Sequence, residues 1–316
     1  MKIILIGKNG LLGGALIRRA VSLHFHEGRD FVSLDLPDFD VTSRRFVLET
    51  MNELKPEVII NTAGVTNIDW LEKKPNTART IHVQGTANLR EAAKRNDALL
   101  VQISCAEVFG SQASGFGLQA SGENIPEAES PKSEACLPEP VSVYAKTKRD
   151  GERAASATSA TTGEAPRHLI VRAGPLFGQP GLHRSGNLVE TLLNALRHSE
   201  KMYVINDQWA SYTWADDFSQ AIFALIERQC TGLYHVANAG MATPLDVARE
   251  ISRQTGIRRD YAPISAADYG FVAPRARYTV LDTTKFAAVE GMGKLSEWQI
   301  ALDAYLASRT GMRGEG

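Results

Sequence analysis

What this 316-residue chain lacks narrows its class before any motif is considered. It has three cysteines, Cys105, Cys136 and Cys230, odd in number and widely spaced, so neither a disulfide framework nor a cysteine-held metal follows. His24, His26, His183 and His198 show no ligand spacing either. The net charge is -1, without the basic surplus that draws a protein to nucleic acid or an anionic membrane. No apolar run approaches the roughly 20 residues needed to span a bilayer. The early run Ile3–Ile6 is too short for a signal or membrane segment and leads straight into glycines. Internal repeats and coiled-coil heptads are missing as well. What remains is an ordinary globular composition, 43% hydrophobic and 22% charged, with length for one large or two modest domains. A reducing cytoplasm is the default compartment.

The first stretch with chemistry in it is a strand, a glycine loop and a helix in that order. Ile3–Ile6 suits a strand buried on both faces of a parallel sheet. Gly7, Asn9, Gly10, Leu11, Leu12 and Gly13 follow in a GxxGxxG spacing, and 15–21 is apolar and basic with helical character. Here Gly7 permits the tight turn, Gly10 lets backbone approach a pyrophosphate, and Gly13 lets helix and strand pack closely. A second strand, Phe31–Leu34, ends at Asp35, placed to meet an adenosine ribose or simply to end the strand. Asp35 favours NADH by repelling a 2′-phosphate, whereas Arg18, Arg19, Arg44 and Arg45 are available to offset that. Further strands are expected at 58–60, 99–103 and 169–172, with helices between them, which predicts a doubly wound α/β sheet over residues 1–178. The third strand ends in Asn61, Thr62, Ala63 and Gly64, small residues that let a cofactor cross the strand ends. The stretches 111–140 and 156–164 read as a long surface loop and a flexible connection. Residues 179–316 are expected to form mainly a smaller α/β substrate lobe, with room for one strand to return to the sheet.

Tyr144 and Lys148 are four residues apart and share one face of a helix. An ammonium there favours the phenolate and tunes the tyrosine for proton transfer to a carbonyl or alcohol oxygen.

Taken together, these segments resemble the extended short-chain dehydrogenase/reductases, and within them the dTDP-4-dehydrorhamnose reductase family. The segments that carry the likeness are 7–13, 55–64, 85–89, 144–148, 207–208 and 275–282. The resemblance implies NADPH or NADH as cofactor, a nucleotide-sugar substrate, no nucleic acid or membrane partner, and room for a homodimer. It implies Tyr144 as the acid on the keto oxygen and Lys148 on the nicotinamide ribose. The hydroxyl slot at the tip of the fourth strand falls on Cys105, with Ser104 just before it. Cofactor contacts are implied at Gly7, Asn9, Gly10, Leu11, Leu12, Gly13, Asp35, Asp40, Val41, Ala63, Gly64, Thr66, Ser104, Tyr144, Lys148 and Ala173. Substrate contacts are implied at Cys105, Ala106, Glu107, Asn187, Trp209 and Arg275. Departures from the pattern are Cys105 for Ser or Thr, His82 for Asn, Ala210 and Tyr212 for Gly and Pro, and Ala276 for Pro. Glu107 does not complete the acid pair of the related dehydratases, since Ala106 stands where those enzymes place Asp. Trp209 and Trp214 either meet the sugar or base or fill the lobe. Two other readings stay open: an epimerase or dehydratase of the same superfamily, and a catalytically quiet regulatory subunit that binds the nucleotide.

Overall fold

The computed structural model describes residues 1–110, 130–158, 165–182, 187–199 and 201–311. Six parallel strands form the central sheet. In chain order they are β1 (Ile3–Ile6), β2 (Phe31–Leu34), β3 (Val58–Asn61), β4 (Leu99–Cys105), β5 (His168–Ala173) and the strand Gly232–His235. Across the sheet, that last strand lies beside β5, followed by β4, β3, β1 and β2. The order reverses between β1 and β3, the crevice where doubly wound sheets bind ligands.

The sheet is buried on both faces, which is why its strands read as unbroken apolar runs. Ile3 and Leu5 join one core with Leu16, Phe218 and Ile222. Ile4 and Ile6 join the opposite one with Val47, Met51 and Leu89. The helix α1 (Leu11–Ser22) and the helix Ala215–Glu227 cover the first face, and Arg18 pairs with Asp216 between them.

A second core holds the smaller part of the molecule, built on the helices Leu188–His198, Pro244–Thr255 and Trp298–Gly311. Short parallel pairs knit it, Lys201–Ile205 with Asp260–Ile264 and Trp209–Ala210 with Tyr278–Thr279. The chain crosses between the two parts more than once, because residues 215–235 return to the central sheet and its helical layer. The Trp298–Gly311 helix gave no distinct sequence signal, nor did a π-helical turn, Thr80–Gln84, set between the helices Pro75–Arg79 and Gly85–Arg95. Of the loop expected over 111–140, residues 111–129 lie outside the described residues, as do residues 159–164 of the connection expected over 156–164. Among the described residues, no helix is long and apolar enough to cross a membrane and no His, Cys, Asp and Glu cluster suits a metal ion.

Candidate active site

The glycine loop leaves β1 with Gly7 at φ +94°, where a Cβ would lie 2.5 Å from Thr62 Oγ1. A Cβ on Gly13 would sit 2.1 Å from the Gly7 carbonyl, so both positions require glycine for the chain's own sake. Gly10 is different. Its φ of -76° is open to any residue, and among the described residues a Cβ there would meet Gly7 O alone, at 3.4 Å. The helix α1 begins beside it with no side-chain cap and no acidic residue in its first turn. That cradle fits a pyrophosphate. Asp35 fastens it to the tip of β2, accepting from Asn9 N at 2.9 Å and Leu36 N at 2.8 Å. From the smaller part, Gly181 and Leu182 press on the same loop, with Leu182 N donating to Asn9 O at 2.9 Å. No sequence feature signalled that contact.

Beyond β4 the chain delivers Tyr144 and Lys148 on the helix Val143–Ser156. The helix starts cleanly because Ser142 Oγ accepts from Ala145 N at 3.1 Å and Glu72 accepts from Val143 N at 2.9 Å. Tyr144 is 8% exposed and packs against Cys105, its hydrogen-bonding partner. Lys148 donates to the Ile103 carbonyl at 2.7 Å. One turn further, Glu152 makes a buried two-pronged pair with Arg172 of β5 at 2.8 and 2.7 Å.

The electrostatics correct one expectation. Lys148 does not make the phenol acidic here. Burial, and then the neighbouring Cys105, pushes Tyr144 well above the usual tyrosine range. Burial also lowers Lys148, whose ammonium is turned to a carbonyl. Burial raises the Cys105 thiol to about 11 against the pull of Lys148. Tyr144 is therefore held in its protonated form.

Cys105 is in extended conformation at φ -146°, ψ 160°, so β4 keeps its alternation to the end and Ser104 faces away from Cys105. Ser104 is thus not assembled with Tyr144. Its hydroxyl is 3% exposed and has no hydrogen-bond partner among the described residues. Ala173 lies beside Cys105 in register on β5. Glu107 and Arg275 do come together: burial raises the Glu107 carboxyl to about 7, opposed by the Arg275 charge. Arg275 stacks on Phe271 at 4.3 Å and pairs with Asp69 at 3.0 Å, while Asp69 also accepts from Ala273 N at 2.9 Å. Ala106, between Cys105 and Glu107, is 2% exposed.

Other expected contacts find different company. Asn187 caps the helix Leu188–His198, accepting from Glu190 N at 3.1 Å and donating to Gly178 O at 2.9 Å, so both ends of its amide are engaged within the chain. Trp209 lines a groove of about 450 Å³ with Met241, Arg249 and Trp298, away from any other candidate residue in that lining. The Asp40 carboxylate accepts from Thr42 N and Oγ1, both at 2.8 Å, and Val41 is buried with its carbonyl held by Asn88 at 2.8 Å. Ala63 N donates to Asn61 Oδ1 at 3.1 Å, and Gly64 and Thr66 are exposed at the tip of β3. His82, the departure from Asn, is buried between that tip and the Tyr144 helix.

Comparison with known proteins matches residues 1–310 to the RmlD substrate binding domain model. The chain belongs to that family. A dTDP-4-dehydrorhamnose reductase of Aggregatibacter actinomycetemcomitans is 27% identical over 314 residues, covering 95% of this chain and 97% of that protein. Among solved structures, a dTDP-4-dehydrorhamnose reductase of Clostridium acetobutylicum is 28% identical with a TM-score of 0.83, covering 98% of this chain and 100% of that one. A Bacillus anthracis dTDP-4-dehydrorhamnose reductase in complex with NADP is 26% identical, again with a TM-score of 0.83 and the same coverage, 98% and 100%.

Proposed function

We propose that this chain is an NAD(P)H-dependent reductase of a 4-keto-deoxysugar carried on a nucleoside diphosphate, of the dTDP-4-dehydrorhamnose reductase kind. The observation that carries the reading is a protonated, buried Tyr144 one turn from Lys148 and against Cys105, at the carboxyl edge of a parallel sheet. Full-length relatives named for that activity support it. The first-turn amides of Leu11, Leu12 and Gly13 would hold the pyrophosphate, in the loop that Gly7, Asn9 and Gly10 shape, with Asp35, Asp40 and Val41 on the adenosine side. Ala63, Gly64, Thr66, Tyr144, Lys148 and Ala173 would line the nicotinamide side. Bound there, a reduced nicotinamide supplies hydride to the keto carbon.

Tyr144 then gives its proton to the keto oxygen, so that ketone becomes alcohol and the phenol becomes phenolate. Its high pKa suits this role, because the proton stays in place until the oxygen gathers negative charge. Lys148, one turn away, would hold the nicotinamide ribose hydroxyls. Cys105 faces the same region with a weak donor. Ala106, Glu107 and Arg275 would line the sugar-nucleotide side. The setting is the cytoplasm, and a homodimer is the assembly to be measured by sedimentation.

The thiol at Cys105 favours one second reading, a chain that holds the cofactor without consuming it. Oxidation of NADH and NADPH against a panel of 4-keto sugar nucleotides separates the two. Substrate-dependent oxidation supports the reductase. Tight cofactor binding with no oxidation across the panel supports the quiet form.

A further inference from the structure

His82 stands where two parts of the site meet. Its backbone lies in the π-helical turn Thr80–Gln84, a wide turn of the kind that recurs at functional positions. The ring is 4% exposed. Nε2 accepts from Val65 N at 3.2 Å, and a Cβ on Gly64 would touch the same nitrogen at 3.3 Å. Nδ1 is 2.9 Å from Thr147 Oγ1. An acceptor role for Nε2 puts the proton of a neutral imidazole on Nδ1, so His82 donates to Thr147. Thr147 in turn donates to the carbonyls of Val143 and Tyr144, at 2.9 and 3.0 Å. The ring also meets Tyr144 edge-on, with centroids 5.8 Å apart at 79°. Behind it, Thr86 Oγ1 donates to the His82 carbonyl at 2.7 Å, and a Cβ on Gly151 would lie 2.7 Å from that carbonyl. The Tyr144 helix can approach the π-helical turn this closely only because residue 151 is glycine.

From this geometry we propose that His82 is a positioning residue that locks the loop after β3 to the helix of Tyr144, setting the place of the nicotinamide side of the cofactor relative to the proton donor. The inference rests on the reductase reading above. An imidazole presents an acceptor and a donor on one flat ring, and each goes to a different element. A hydrocarbon of the same shape fills the space but ties neither. Leaving Val65 N without its acceptor frees the loop that carries Ala63, Gly64 and Thr66.

The test uses His82→Phe, which keeps ring volume and the edge contact with Tyr144, and His82→Gln, whose amide offers both an acceptor and a donor. Cofactor affinity is measured by direct titration with NADPH, and kcat and sugar KM by turnover. His82→Phe is expected to weaken NADPH binding and lower kcat, each by about tenfold, the loss of roughly one well-made hydrogen bond, with sugar KM unchanged. His82→Gln is expected to stay within about threefold of the parent in both. If His82→Phe does not fold, Thr147→Val carries the test, since it keeps the His82–Val65 bond and removes the hydroxyl that ties the ring to the Tyr144 helix, and it is expected to lower kcat with sugar KM unchanged. A His82→Phe protein with normal NADPH affinity and kcat and only a lower melting temperature overturns the proposal, as does a silent Thr147→Val. A parent that binds NADPH but turns over no sugar nucleotide counts against the reductase reading alone, because the titration still judges His82.

Discussion

At the scale of single residues, Cys105 is the departure with the clearest consequence. The keto oxygen gathers negative charge as hydride adds, so a donor aimed at it helps the transition state more than the ground state. A hydroxyl serves that role better than a thiol. Cys105→Ser is therefore expected to raise turnover or leave it unchanged in a steady-state assay. Ser104→Ala is expected to do little, since it removes a buried hydroxyl that faces away from Cys105 and has no partner among the described residues. A large loss in Ser104→Ala, with Cys105→Ser inert, would place the donor on the wrong residue. Glu107 adds a pH dependence. Its carboxyl, held near 7, ionises beside a phenol whose pKa the resulting charge raises further. Negative charge there also opposes the developing charge on the keto oxygen. Turnover should fall as pH rises through about 7, and Glu107→Gln, which stays neutral, should remove that limb from the pH–rate profile. An unchanged limb in Glu107→Gln would assign it to another group. Tyr144 and Lys148 were legible in the sequence because one helical turn brings them together. The partners of His82 were not, because Val65 and Thr147 lie 17 and 65 residues away and only the folded sheet brings them to one ring.

Among the elements, the strand–loop–helix unit was the most legible, since its glycines answer to local geometry and its strand is apolar on every residue. Helix starts were less legible, as at Arg44, where polar first-turn residues carry no apolar period. The return of one strand to the sheet was foreseen, but not that the strand is Gly232–His235 or that it pairs with β5. Period-two patterning says nothing of which sheet a strand joins. The Asp69–Arg275 link escaped for a similar reason, since it joins the turn after β3 to a segment some 200 residues later, Ala273 N reaching Asp69 across a separation of 204. The glycine loop yields the sharpest test at this scale. Because Gly10 has an ordinary φ and a Cβ would meet one carbonyl among the described residues, at 3.4 Å, Gly10→Val should fold. The branched side chain then stands where phosphate must approach, and titration with NADH and NADPH should show at least a tenfold loss of affinity, about 1.4 kcal/mol. Unchanged affinity in the folded variant would move the cofactor elsewhere.

For the molecule as a whole, two buried histidines make stability sensitive to mild acid. Burial and the Lys148 charge lower His82 to about 3, and burial and Arg172 lower His235 to about 4. The unfolded chain binds protons at these residues near pH 6.5, whereas the native state refuses them. Their contribution is complete above about 6.5 and is lost as pH falls toward those native values. Urea unfolding between pH 7 and pH 5 should show stability dropping by up to about 1.4 kcal/mol per pH unit for each histidine, and the slope should be shallower in His82→Phe. A flat profile over that range would contradict the buried, neutral assignment. The reductase reading itself turns on one proton. The most direct measurement is NADPH oxidation by the parent and by Tyr144→Phe with a 4-keto-deoxysugar nucleotide, alongside NADPH titration of both. Tyr144→Phe should bind NADPH almost as the parent does and lose turnover by roughly 10²–10⁴-fold, the range of a positioned general acid. Turnover within a factor of a few of the parent would show that the proton comes from another group.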